Sequence, residues 1–231
     1  RESGFHRQPT HESCETILRN PPSATEPNAT DDIELILNLS SADIGHPNPP
    51  AIPPADLFTR EAEIEIDTWS HDPFLLPDMT SAVACLRQAI DLREGIAVFG
   101  DFDADGLTGT AIIVMALSEL GARVVPYLPN RVSEGHGLNP IALGSIRGQG
   151  VSTMITVDCG TNSFDEISFG NALGIETIVT DHHSISGTLP EAAAVVNPKR
   201  SGSGYPYLEL TGAGLAYKLV EALWLDIGRP R

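Results

Sequence analysis

From residue 96 onward, short apolar runs alternate with amphipathic segments, and this alternation constrains the fold more than any other feature. The runs at 96–100, 123–128, 154–157, 175–180 and 193–196 read as strands. Between and after them, 108–120, 139–148, 164–173 and 214–225 read as helices, several closed by glycine (Gly121, Gly148, Gly174). A helix capped by Thr80 or Ser81, with Val83, Leu86 and Ile90 on one face, precedes the first strand. Strands separated by helices imply βαβ units, hence an α/β fold with a mostly parallel sheet flanked by helices. Pro126 predicts an edge position for the second strand, because proline cannot donate to a central ladder.

Upstream, the texture is different. Residues 1–30 are polar and turn-rich, 31–40 suit a short helix, and 43–56 are rich in proline. Residues 1–56 are therefore expected to form a poorly ordered arm, ahead of a domain spanning 57–231. Cys14, Cys85 and Cys159 are too few and too widely spaced for a disulfide framework or a zinc site, so a reducing cytoplasmic setting is expected. No apolar run is long enough to span a membrane. The net charge of −17 argues against a free-standing nucleic-acid binder with a basic face. It weakly favours clustered carboxylates that bind divalent cations, with a solvated acidic surface as the alternative.

Three of the strand-like runs end directly in acidic or histidine clusters. Strand 96–100 leads into Asp101, Asp103 and Asp105, strand 154–157 into Asp158, and strand 175–180 into Asp181, His182 and His183. Parallel sheets place ligands beyond the carboxyl ends of their strands, so the clusters are expected to converge on one rim. Carboxylates that close raise one another's pKa, and divalent cations relieve the conflict. Carboxylate with imidazole suits Mn²⁺ or Mg²⁺. In an extended segment Asp101, Asp103 and Asp105 would share a face. The start of helix 108–120, with the small residues Thr108, Gly109 and Thr110, could receive a phosphate oxygen. Each cluster alone has a plainer reading. The Asp101–Asp105 spacing matches half an EF-hand loop, but Ile112 stands where that loop needs Glu. Asp158 could cap the next helix, and His182-His183 could be a polar loop.

The ordered set GDFDADG (100–106), VDCG (157–160) and TDHH (180–183) resembles the DHH phosphoesterase superfamily. Within it, HDPFLLPDM (71–79), PNRVSEGHGLN (129–139), VVNPKR (195–200) and LTGAGLAYKL (210–219) look like the RecJ family, over about residues 57 to 231. The resemblance implies a two-metal Mn²⁺ or Mg²⁺ phosphodiesterase, degrading single-stranded DNA 5′ to 3′ in repair and recombination, with single-stranded DNA and repair or replication proteins as partners. It implies Asp103, Asp105, Asp158 and His182 as metal ligands, with Asp158 bridging. Asp181 would orient the site, His183 would contact the scissile phosphate or help the leaving group, and Asp101 would sit behind a metal or join it. Arg131, just past a strand end, could hold a phosphate with its planar fork or be a surface arginine. His136 lies where relatives often have Tyr and receives no catalytic role. Lys199 and Arg200 are either backbone contacts to nucleic acid or a solvated pair.

Two departures follow from the same resemblance. Some relatives place a metal-binding His where this chain has Phe99. The family also continues with a strand bearing another metal-binding Asp and then accessory domains. The domain is therefore expected to be truncated at its C-terminal end, and Asp226, in or after the last helix, does not replace that ligand. A phosphoesterase for oligonucleotides or pyrophosphate, and a non-catalytic scaffold of the same family, remain alternative readings.

Overall fold

The computed structural model describes residues 71–131 and 134–229. The expected arm at 1–56 and its helix at 31–40 lie outside the described residues. The elements run in chain order: a 3₁₀ turn at Pro73–Leu75, α1 (Met79–Asp91), β1 (Gly95–Gly100), α2 (Ala104–Glu119), β2 (Arg123–Tyr127), α3 (Pro140–Gly148), β3 (Val151–Val157), α4 (Phe164–Ala172), β4 (Glu176–Thr180), β5 (Ala194–Val196) and α5 (Gly212–Asp226).

The five strands form one sheet in the order β2-β1-β3-β4-β5, and every neighbouring pair is parallel. All six residues of β1 are buried, as a central strand covered on both faces requires. Alternation along it divides the core in two. Ile96 and Val98 pack with Met79 and Leu86 of α1, Ile113 and Leu117 of α2, and Leu215 and Leu219 of α5. Ala97 and Phe99 point the other way, toward Leu143 and Ile146 of α3 and Ile167 of α4. The result is a three-layer sandwich, and β2 lies at the edge that Pro126 implied.

The chain leaves β1 for β2 on one side through α2, then returns past β1 to β3 and continues outward to β4. The direction of winding therefore reverses between β1 and β3, and the crevice for a ligand opens above their carboxyl ends. Asp101 follows β1 and Asp158 follows β3, so both acidic residues sit at that switch point.

Three local expectations need correction. Helix α1 is preceded by Asp78, not capped by Thr80 or Ser81. Strand β3 begins at Val151, three residues before the expected start. Helix α2 begins at Ala104 rather than 108, because the Asp103 carboxylate accepts from the N–H groups of Asp105 and Gly106 and caps it there. Asp101, Asp103 and Asp105 thus do not lie on one extended face. Thr108 and Thr110 fall inside the helix, where no free N–H awaits a phosphate.

Candidate metal centre

The rim is built by backbone geometry before any side chain acts. Beyond β1 and β3 the ladder extends by one bond each: Asp101 N–H donates to Val157 O and Asp158 N–H to Thr180 O. Asp181 N–H donates to Val196 O in the same way. Each acidic residue is therefore fixed at the last rung of the sheet. Gly106 lets α2 turn back tightly over Asp101, since a Cβ there would stand 2.4 Å from the Asp101 carbonyl oxygen. Asp158 itself adopts φ 62°, a left-handed conformation uncommon outside glycine. Thr156 and Thr180 brace that turn, with Thr156 Oγ1 donating to Cys159 O and Thr180 Oγ1 to Thr156 O.

Asp158 is the hub. Its donor oxygen lies within 4.8 Å of those of Asp101 and Asp103, and separately within 4.8 Å of ring nitrogens of His182 and His183. The two clusters overlap only at Asp158. Its Oδ1 is 2.9 Å from His182 Nε2. That contact is not aligned as a hydrogen bond, and among the described residues this buried oxygen has no hydrogen-bond partner. Asp158 is 3% exposed. Burial, then the charges of Asp105 and Asp103, push its carboxyl up to about 7.

Asp105 is held differently from its neighbours. Its two oxygens accept from the N–H groups of Gly212 (2.6 Å) and Ala213 (2.8 Å), the first residues of α5. Helix N-termini favour such a charge. Its Oδ2 is still 3.8 Å from His182 Nε2, so it borders the cluster.

The histidines divide the work. His183 Nδ1 lies 2.7 Å from Asp181 Oδ1, and His183 N–H donates to the same oxygen. Thr161 N–H donates to the other oxygen of Asp181. Burial would raise the Asp181 carboxyl, but the N–H groups of His183 and Thr161 and the His183 ring lower it below its ordinary value. Burial would lower the His183 pKa, but the bond to Asp181 and its charge hold it above its ordinary value. Asn197 donates to Thr161 Oγ1 and to the His183 carbonyl, locking this loop to the end of β5.

Arg131 is exposed, with its guanidinium 5.0 Å above the ring of Phe102, the residue between Asp101 and Asp103. It therefore stands at the rim, as does His136, whose ring also packs on Phe102, at 4.7 Å. Of the basic pair at 199–200, Arg200 is engaged within the fold, whereas Lys199 makes only a surface pair. Arg200 donates to Val195 O and pairs with Asp78, and Lys199 pairs with Glu209. Phe99 is fully buried and stacked on Tyr127, a core residue with no part in the rim. Asp226 pairs with Arg87 at the far end of α5, about 21 Å along the helix axis from Gly212.

The sequence reading missed the supporting groups: Gly212, Ala213, Thr161 and Asn197. Gly212, Ala213 and Asn197 lie in motifs noticed at 195–200 and 210–219. Nothing in the spacing said that a helix start some hundred residues downstream would meet Asp105.

A buried carboxylate that belongs to two clusters of oxygen and imidazole donors, with one oxygen that no hydrogen bond satisfies, fits divalent cations of the Mn²⁺ or Mg²⁺ kind. Parallel α/β proteins that collect such donors at the switch point form a recognisable class of cation-binding sites. This chain belongs to the DHH family: the pattern of its N-terminal domain matches residues 95–229. The chain is 41% identical over 167 residues to the single-stranded-DNA-specific exonuclease RecJ of Bacillus subtilis strain 168, covering 72% of this chain and 20% of that protein. Among solved structures it resembles exonuclease RecJ bound to manganese, with TM-score 0.59 and 37% identity, over 67% of this chain and 39% of that one. It also resembles RecJ of Thermus thermophilus in complex with Mn²⁺, with TM-score 0.56 and 36% identity, over 67% of this chain and 22% of the other. The chain thus spans about a fifth to a quarter of the length of the curated relatives it matches.

Proposed function

We propose that this chain supplies the metal-binding core of a single-stranded-DNA exonuclease, hydrolysing phosphodiester bonds in the 5′-to-3′ direction during DNA repair and recombination. The observation that carries this reading is the position of Asp158 as the one member common to two donor clusters. The similarity to RecJ proteins, including structures bound to manganese, supports the choice of substrate and metal.

In this reading Asp103, Asp105, Asp158 and His182 would hold two Mn²⁺ or Mg²⁺ ions, with Asp158 the ligand common to both donor clusters. Bound there, the ions supply an activated water and neutralise charge on the phosphate under attack. Asp101, at the last rung of β1, is itself a member of the first cluster and would either join a metal there or back one. Asp181 fixes the tautomer of His183, since a proton on Nδ1 is held between the two, and this leaves Nε2 to face a phosphate oxygen or the departing group. Arg131 presents a planar fork to the phosphate and is steadied by its stacking on Phe102. Among the described residues no helix is long and apolar enough to cross a membrane. A cytoplasmic place of action accords with the DNA substrate.

The test is nucleotide release from 5′-phosphorylated single-stranded DNA by the gene product that contains this chain, with duplex DNA, pyrophosphate and a dinucleotide as alternative substrates. Mn²⁺-dependent release from the single strand, lost in Asp158→Ala, is expected. Preference for pyrophosphate or the dinucleotide would instead place the chain among small-substrate phosphoesterases. Metal binding without hydrolysis of any substrate would make it a scaffold.

A further inference from the structure

We infer that the first turn of α5 is a positioning element for the metal centre and that Gly212 is the residue that permits it; this rests on the divalent-metal reading above. Two independent contacts converge on one backbone turn. The N–H groups of Gly212 and Ala213 take both oxygens of the Asp105 carboxylate. At the same residue, an added Cβ would stand 2.6 Å from Asp158 Cβ, 2.8 Å from its Cγ and 2.9 Å from its Oδ1. Distances that short cannot be accommodated without movement. Only glycine allows the helix start to lie against Asp158 and still reach Asp105.

Neither side can yield freely. Asp158 is pinned by its N–H bond to Thr180 O and by its left-handed backbone. Helix α5 is anchored by Thr211, whose hydroxyl accepts from Gly214 N–H, and by the packing of Leu215 and Leu219 in the core. On α2, Gly109 lets the helices meet closely, since a Cβ there would be 2.7 Å from Val157 Cγ1 and 3.3 Å from Ala213 Cα. A methyl group at 212 must therefore either push Asp158 aside or lift the helix start off Asp105. Each outcome spreads carboxylates that have to meet on shared cations. Because backbone donors set the Asp105 position, its geometry is fixed before any cation arrives, which favours binding by preorganisation.

The experiment measures free Mn²⁺ by electron paramagnetic resonance during titration of the full chain, alongside circular dichroism and the thermal midpoint. Gly212→Ala is compared with Gly148→Ala, whose added methyl would meet nothing within 4 Å. A tenfold or greater loss of Mn²⁺ affinity in Gly212→Ala, with the fold retained and Gly148→Ala unchanged, is expected. Wild-type affinity in folded Gly212→Ala overturns the inference. Should Gly212→Ala not fold, Ala213→Pro decides. Proline is tolerated in a first helical turn but removes the N–H that Asp105 accepts. A comparable loss there sustains the inference, and unchanged affinity overturns it. Failure of the wild-type chain itself to bind Mn²⁺ would instead strike at the metal reading on which this inference rests.

Discussion

At the amino ends of the central strands, charge is spent on holding the chain together, whereas at their carboxyl ends it is concentrated and left open. Below β1 and β3, Arg123 donates to the carbonyls of Gln149 and Gly150, and Arg147 donates to Val151 O. Glu94 there accepts from Ser152 and sits near Thr153. Above the same strands, Asp101, Asp103, Asp105 and Asp158 crowd together, and Asp158 keeps a buried oxygen that no hydrogen bond satisfies. Left-handed backbone occurs at both ends, at Arg93 and at Asp158, but Arg93 is exposed and Asp158 is buried. A sheet that satisfies one end and frustrates the other keeps stability and binding in separate places.

Substitutions at the two ends should therefore act in opposite senses. The largest effect is expected at the hub. Asp158→Ala should weaken Mn²⁺ binding about a hundredfold or more, measured by the same resonance titration, because it removes the donor common to both clusters. Metal-free stability should move the other way. Asp158→Asn keeps the shape and tolerates positive φ, but it removes a buried charge beside like charges. In chelator at pH 8 it should be about 1–2 kcal/mol more stable than wild type by urea denaturation. Lower stability for Asp158→Asn without metal would mean that Asp158 is satisfied in the fold, and the comparison would break. At the other end, Arg123→Ala should cost about 1 kcal/mol by the same measurement and leave Mn²⁺ affinity unchanged.

The smallest effect is a pH dependence remote from the rim. Cys85 donates to Glu176 at 3.3 Å. Burial, then Glu176, raise its thiol from 9.0 to about 12. The unfolded thiol ionises first as pH rises, so this contribution to stability is whole below 9.0 and is lost between there and about 12. The urea midpoint of Cys85→Ala should fall less steeply across that interval than wild type. An identical slope would assign the alkaline loss to other groups.

The layered fold was legible because periodicity and punctuation report burial directly. Ile96-Ala-Val98-Phe99 reads as a strand buried on both faces, and Pro126 marks the edge. The convergence of three clusters was legible too, since parallel strands deliver their carboxyl ends to one side. What stayed hidden depended on tertiary contact. Asp103 serves as a helix cap, which no count of alternating aspartates reveals, and this moved the start of α2 forward. Asp105 meets Gly212 and Ala213 across 107 and 108 positions of chain, a pairing set by how α2 and α5 pack. Arg200 looked available for nucleic acid in the sequence, but the neighbouring turn at Asp78 claims it.

The most direct test is anomalous diffraction at the manganese edge from crystals of this chain grown with Mn²⁺. Peaks beyond the carboxyl ends of β1 and β3, within coordination distance of Asp158 and flanked by Asp103, Asp105 and His182, are the predicted result. A well-ordered rim with no peak, or manganese bound only elsewhere on the acidic surface, would contradict the assignment of Asp158 as the shared ligand of a metal centre.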